Sequence, residues 1–143
     1  MQINRKGSAV WAGGIKDGKG AISTESGALA TYPYGFASRF EGQRGTNPEE
    51  LLGAAHASCF TMALSLILGK AGFTATEMET QARVTLEQVE DGYAITAVHL
   101  ALTARIPGID QATFTELAGH AKAGCPVSKV LKAAISLDAT LLT

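Results

Sequence analysis

Two cysteines carry the clearest chemical potential in this 143-residue chain, and their surroundings differ. Cys59 lies inside a long apolar stretch, where a cysteine taken alone reads as a small buried hydrophobe. Cys125 precedes Pro126 at what reads as a helix start, where unpaired amides favour a thiolate. The thiolate is the nucleophile, and at an ordinary pKa of about 8.5 only roughly 3% of a thiol is ionised at pH 7. Cys59, in mid-helix, receives no help from a helix terminus and needs a cation to ionise. Two cysteines so far apart are too few for a secreted disulfide scaffold. In a reducing compartment a disulfide between them is transient, so any chemistry involves turnover or sensing. On spacing alone, inert structural cysteines remain the alternative.

Two further patterns resemble ligand sites. His56 and Cys59 stand three apart on one helical face, a spacing that could supply two metal ligands. The remaining ligands would have to come from Cys125, His99 or His120, none of them paired at metal-site spacing, so a satisfied helix histidine is the better reading of His56. Gly13 to Gly20 nearly matches a phosphate-binding loop, with Gly18-Lys19 after four intervening residues. The hydroxyl residue that must follow is Gly20, and Ala21-Ile22-Ser23-Thr24 reads as strand rather than helix. A glycine-rich hairpin turn fits better than a nucleotide site.

The elements that must position these residues can be read from pattern. Met1 to Phe40 reads as short strands separated by glycine clusters. A long helix begins near Asn47, with Thr46 or Asn47 as cap, Pro48 in its first turn, and Glu49 and Glu50 complementing its dipole; it runs to about Lys70 and stops at Gly72. Met78, Thr80, Ala82, Val84 and Leu86 then alternate on one face of a strand. Asp91-Gly92 signals a hairpin. The return strand places Val98, Leu100, Leu102, Ala104 and Ile106 on one face. Asp110 caps a helix reaching Lys122 with Gly124 closing it, and Cys125 caps another short one. Ala133, Ile135, Leu137, Ala139 and Leu141 alternate in a last strand. The pattern is α+β, a single domain over residues 1–143.

From Leu51 to Gly69 the long helix carries no formal charge, which raises the question of a membrane span. His56, Ser58, Thr61 and Ser65 interrupt it, and its ends show no Lys/Arg asymmetry, so no membrane association is expected. A helix apolar all round must be buried all round. A chain of this size has one sheet to cover it, so the other side is expected to meet a second copy in a homodimer, through the small residues Gly53, Ala54, Ala57 and Ala63. The formal net charge of -1 gives no reason to expect nucleic acid as a partner. Arg5 and Lys6 are followed by no apolar block, so a secretory signal is not expected and a cytoplasmic location follows.

The run from Asn47 to Phe60, Asn-Pro-Glu-Glu-Leu-Leu-Gly-Ala-Ala-His-Ala-Ser-Cys-Phe, resembles the signature of the osmotically inducible protein C (OsmC) family, which includes the organic hydroperoxide resistance (Ohr) proteins. Ala123-Gly124-Cys125-Pro126-Val127-Ser128 is similar to the family's second signature. Pro33 to Gly42 looks like the osmotically inducible branch in particular. The resemblance covers nearly the whole chain, in order and length. It implies an OsmC/Ohr-like α+β fold in which long central helices are enclosed by antiparallel-rich sheets in an intertwined homodimer. It implies a thiol peroxidase acting on organic hydroperoxides and more weakly on hydrogen peroxide, with no metal and no other cofactor. Carried onto this sequence, Cys59 is the attacking cysteine and Cys125 its disulfide partner; Arg39 is the activating arginine and Glu49 the carboxylate that positions it. An external dithiol, a lipoyl-bearing protein or a similar reductant, restores the pair. Phe36, Phe40, Phe60 and Met62 are candidates for an apolar pocket that selects alkyl hydroperoxides, with core packing as the equal alternative. Glu49 and Cys59 are ten residues apart on one helix, about 15 Å along its axis, so Glu49 is expected to act on the other subunit's site unless the helix breaks near Gly53. The rival reading is a non-catalytic redox sensor or binding module that switches once on oxidation.

Overall fold

The computed structural model describes every residue from Met1 to Thr143, and the chain falls into two compact units, Met1–Leu51 and Leu52–Thr143. In the first unit β1 (Gly7–Ala12), β2 (Lys19–Thr24) and β3 (Tyr32–Tyr34) form an antiparallel sheet in that order. The glycine cluster that nearly matched a phosphate loop is the β1–β2 turn, with Ala12 paired to Lys19 and Gly18 N–H donating to Gly14 O. Gly20 lies flat under two aromatic rings: any Cβ there collides with Tyr34 and Trp11, whose rings meet edge-on at 5.5 Å. A short helix that the pattern did not announce, α1 (Phe36–Phe40), follows β3. Ser38 fixes it, its Oγ accepting from Gly35 N–H at 2.9 Å and lying 2.9 Å from the Thr46 carbonyl.

The helix α2 (Pro48–Lys70) begins and ends where its signals put it. Asn47 Oδ1 accepts from Glu50 N–H at 2.8 Å, so Asn47 rather than Thr46 caps it. Gly72 takes the left-handed conformation, φ +88°, beyond its end. It runs unbroken through Gly53, which removes the alternative of a break there.

In the second unit β4 (Glu77–Val89) pairs antiparallel with β5 (Gly92–Arg105), which pairs in parallel with β6 (Ala134–Leu142). Pairing of Val89 with Gly92 puts Glu90 and Asp91 at the hairpin tip, one residue earlier than the Asp91-Gly92 signal. The chain passes from β5 to β6 through α3 (Gln111–Gly124) and α4 (Pro126–Val130). Asp110 caps α3, accepting from Thr113 N–H at 2.7 Å. Strand alternation sends Val98, Leu100, Leu102 and Ala104 to one face, all at most 1% exposed. Phe60, Leu64 and Leu68 of α2 and Phe114, Ala118 and Ala121 of α3 close over that face in the same core cluster. Truncating Phe60 to alanine there would cost about 3–5 kcal/mol.

Length and hydropathy would allow α2 to cross a membrane, but one of its stripes belongs to this core. The opposite stripe is uncovered in the chain: Met62 is 77% and Leu66 61% exposed. The small residues expected at a dimer contact divide accordingly. Gly53 is buried against β4, where an added Cβ would lie 3.1 Å from Ala82 O, and Ala63 packs on the core; Ala54 is exposed.

Candidate active site

Both cysteines are free thiols and both belong to the second unit. Cys59 projects from the middle of α2 and is partly buried. Cys125 is fully buried at the junction of α3 and α4, where its backbone ends one helix and begins the next. Its N–H donates to Ala121 O, and its sulfur accepts from Ser128 N–H at 3.3 Å. Proline at the first position of α4 and a capping sulfur before it make this turn, as the Cys-Pro pair announced.

The two thiols lie close enough for each to shift the other's proton affinity. The Val127 amide, at the start of α4, favours the ionised form of both sulfurs, a small help to Cys59 from another helix that does not offset its burial. The donor comes from α4 rather than from the cysteine's own helix, and position along α2 could not disclose it. Burial nevertheless pushes the Cys59 thiol above its ordinary value, and the neighbouring Cys125 adds to the rise. Burial also pushes Cys125 up, but the Ser128 hydroxyl and amide, Cys59 and the Val127 amide outweigh it and hold that thiol below its ordinary value. Within this unit Cys125 is the more acidic thiol, and Cys59 still wants a cation.

Behind Ser128 lies His56, fully buried, its Nε2 2.8 Å from Ser128 Oγ. Sequence reasoning placed His56 on the face of Cys59 but gave Ser128 no role. The available signal was that His56 is the one ionisable side chain besides Cys59 in the uncharged stretch. No group of three or more potential metal ligands converges in the chain. His99 is engaged elsewhere, with Ser136 at 2.6 Å and Asp138 at 3.1 Å.

Arg39 and Glu49 meet in the first unit, where α1 presents one and the first turn of α2 the other. The contact is a fork: Nη2 lies 2.7 Å from Oε1, and Nε 3.1 and 3.3 Å from Oε1 and Oε2. Glu49 is largely buried and Arg39 is 37% exposed. An open pocket of about 320 Å³ lies against the guanidinium, lined by Trp11, Ile15, Tyr34, Phe36 and Phe40. Phe36 and Phe40 therefore line a pocket as expected. Phe60 does not, being core of the other unit, and Met62 borders a separate groove on the exposed stripe of α2. Trp11, Ile15 and Tyr34 were missed because strand pairing brings them in from elsewhere in the chain.

Against known families, residues 40–140 match the model of the OsmC-like proteins. The chain belongs to this family. The OsmC-like chain is 60% identical to Peroxiredoxin OsmC of Escherichia coli strain K12 over 138 residues, 96% of each chain. Among solved structures it resembles the organic hydroperoxide resistance protein OhrB of Bacillus subtilis, with a TM-score of 0.68 and 25% identity over 96% of this chain and 98% of that one. An OsmC-like protein of Mycoplasma pneumoniae superposes with a TM-score of 0.77 over the full length of both chains at 16% identity, a likeness of fold. The α+β fold with antiparallel-rich sheets is thus the OsmC/Ohr-like fold.

Proposed function

We propose that this chain reduces organic hydroperoxides, and hydrogen peroxide more weakly, with Cys59 as the attacking thiolate and Cys125 as the thiol that resolves it. The enzyme class, a cysteine peroxidase, rests on the 60% identity across 96% of both chains. The observation that supports the finer reading is that partly buried Cys59 and fully buried Cys125 lie close enough to perturb each other, an arrangement that packing alone does not require. Cys59 attacks the terminal peroxide oxygen; the O–O bond breaks, Cys59 becomes a sulfenic acid, and the alkoxide takes a proton to leave as the alcohol. Cys125 then displaces hydroxide from the Cys59 sulfur and closes the disulfide, which guards Cys59 against further oxidation. An external dithiol, a lipoyl-bearing protein or similar, reduces the pair.

Arg39 supplies what Cys59 lacks: a fixed charge beside the thiolate and donors for the negative charge on the leaving oxygen. Glu49 holds the fork in plane. In this reading two copies pack through the exposed stripe of α2, around Ala54, Ser58, Met62 and Leu66, and the Arg39–Glu49 pair of one protomer serves Cys59 of its partner. The apolar rings against Arg39 favour an alkyl hydroperoxide over hydrogen peroxide. The uncharged helix is then an interface helix, and the protein works in the cytoplasm. Steady-state turnover of cumene hydroperoxide with dihydrolipoamide tests the assignment. Many turnovers per subunit are expected; a single stoichiometric oxidation would instead identify a redox sensor.

A further inference from the structure

The peroxidase cycle gives no role to two buried neighbours of Cys125. His56 is fully buried in a stretch without formal charge, and its Nδ1 has no partner. An unsatisfied buried polar atom destabilises a fold, and an apolar side chain would fill the same space without that cost. Burial holds the imidazole below its ordinary value, so it rests neutral at pH 7. Its other nitrogen, Nε2, lies 2.8 Å from Ser128 Oγ, and that oxygen lies 3.4 Å from Cys125 Sγ. A hydroxyl can donate to sulfur while accepting from imidazole, or the reverse. The chain of Nε2, Oγ and Sγ can therefore carry a proton in either direction. Cys125 is sealed from solvent, and the hydroxyl of Ser128 lies within hydrogen-bond reach of its sulfur. Bulk water has no direct contact with its proton.

We propose that Ser128 and His56 form a proton relay for the disulfide-forming step, Ser128 as a catalytic group on the reacting sulfur and His56 as the positioning residue behind it. The proposal rests on Cys125 being the resolving thiol. As Cys125 sulfur attacks the Cys59 sulfenic acid, its S–H proton passes to Ser128 Oγ while the Ser128 proton passes to His56 Nε2. The S–S bond forms and the Cys59 S–O bond breaks; Cys125 sulfur is oxidised and Cys59 sulfur reduced. The departing hydroxide recovers the proton along the same chain and leaves as water, so the relay ends as it began and no further reagent is consumed. The imidazolium exists only while it is balanced by negative charge on sulfur or hydroxide.

Rapid mixing with cumene hydroperoxide, acid quench and mass spectrometry separates Cys59 sulfenic acid from the disulfide. The quantity read is the rate of disulfide formation divided by the rate of Cys59 oxidation. His56→Gln keeps a hydrogen bond to Ser128 but cannot take up a proton, and Ser128→Ala breaks the chain outright; each should lower this ratio at least about tenfold, the scale of a lost general base. Ser128→Thr keeps the hydroxyl and should restore most of it. Independently, in reduced Cys59→Ser protein, where His56 is the remaining ionisable side chain in the network, adding Ser128→Ala should move the ultraviolet thiolate signal of Cys125 to higher pH. Wild-type ratios in both variants, or an unmoved thiolate titration, would overturn the relay. If His56→Gln fails to fold, the two Ser128 variants decide. A wild-type protein that forms no sulfenic acid refutes the peroxidase reading instead, and the titration, which needs no peroxide, then judges the Ser128 contact by itself.

Discussion

Replacing Arg39 by lysine keeps the charge and removes the fork, and the outcome can be sized from the contact it makes. Arg39 reaches Glu49 with two nitrogens, at 2.7 Å through Nη2 and at 3.1 and 3.3 Å through Nε. A single ammonium cannot reproduce that planar two-point grip. A charge-assisted hydrogen bond contributes about 1.5–3 kcal/mol when well buried. Arg39 is 37% exposed, so solvent screening brings the ground-state loss to about 1 kcal/mol or less. Stability should therefore fall little, with Tm lower by about 2–4 °C at most. On the proposed mechanism the same guanidinium holds thiolate, leaving oxygen and carboxylate together in the transition state, and one weakened contact of about 1.4 kcal/mol is a tenfold rate loss. The expected result for Arg39→Lys is kcat/KM for cumene hydroperoxide down about tenfold or more. Circular dichroism melting and steady-state kinetics on the same preparation check both halves. Near-normal kcat/KM would refute the argument from the fork and show that charge alone suffices. A large fall in Tm would refute the discount for exposure.

Cys59→Ser should abolish turnover, while Cys125→Ser still allows one oxidation of Cys59; mass spectrometry after peroxide treatment reads both, and the opposite pattern reverses the assignment. Mixing Glu49→Ala subunits with Cys59→Ser subunits should recover activity in heterodimers, because one of the two sites then holds both intact residues; confirmed subunit exchange without recovery refutes a shared site. His56 gives a stability prediction whose sign follows from its lowered pKa. The folded protein binds this proton less readily than the unfolded chain, so the contribution is full above the unfolded value of about 6.5 and is lost as pH falls from there toward the folded value. Denaturant midpoints measured downward from pH 7 should decline more steeply in wild type than in His56→Gln, by up to about 1.4 kcal/mol per pH unit for one proton, and parallel curves would exclude His56 as the source.

The sequence disclosed what is local and hid what is made at a distance. Asn47, Pro48 and Gly72 mark the ends of α2 because capping and left-handed turns are written in neighbouring residues. The two-residue alternation identified β4, β5 and β6, but it is the same in parallel and antiparallel strands, so the parallel β5–β6 pairing was not legible. Five residues of α1 are too few to display a helical period. Within the site, Cys125 and Pro126 announced their own turn, and the signature runs pointed to Arg39 and Glu49. The Val127 amide on Cys59 and the Ser128 hydroxyl on His56 arise where α4 meets α2, 72 residues apart for the latter pair, and no local pattern encodes them.

The double duty of Cys125 at the α3–α4 junction separates what capping demands there from what the proposed chemistry demands. As a cap, its sulfur accepts from Ser128 N–H at 3.3 Å. Serine is among the best residues for that position, so a serine at 125 would keep the turn, and on capping grounds alone the helix would gain. Capping thus exerts no pressure to keep sulfur at this position, although Cys125 also packs in the hydrophobic core. Serine would keep the cap while placing a hydroxyl among core residues, whereas alanine would cost the cap, about 1 kcal/mol. Capping alone therefore does not account for a cysteine at 125, whereas the proposed chemistry does.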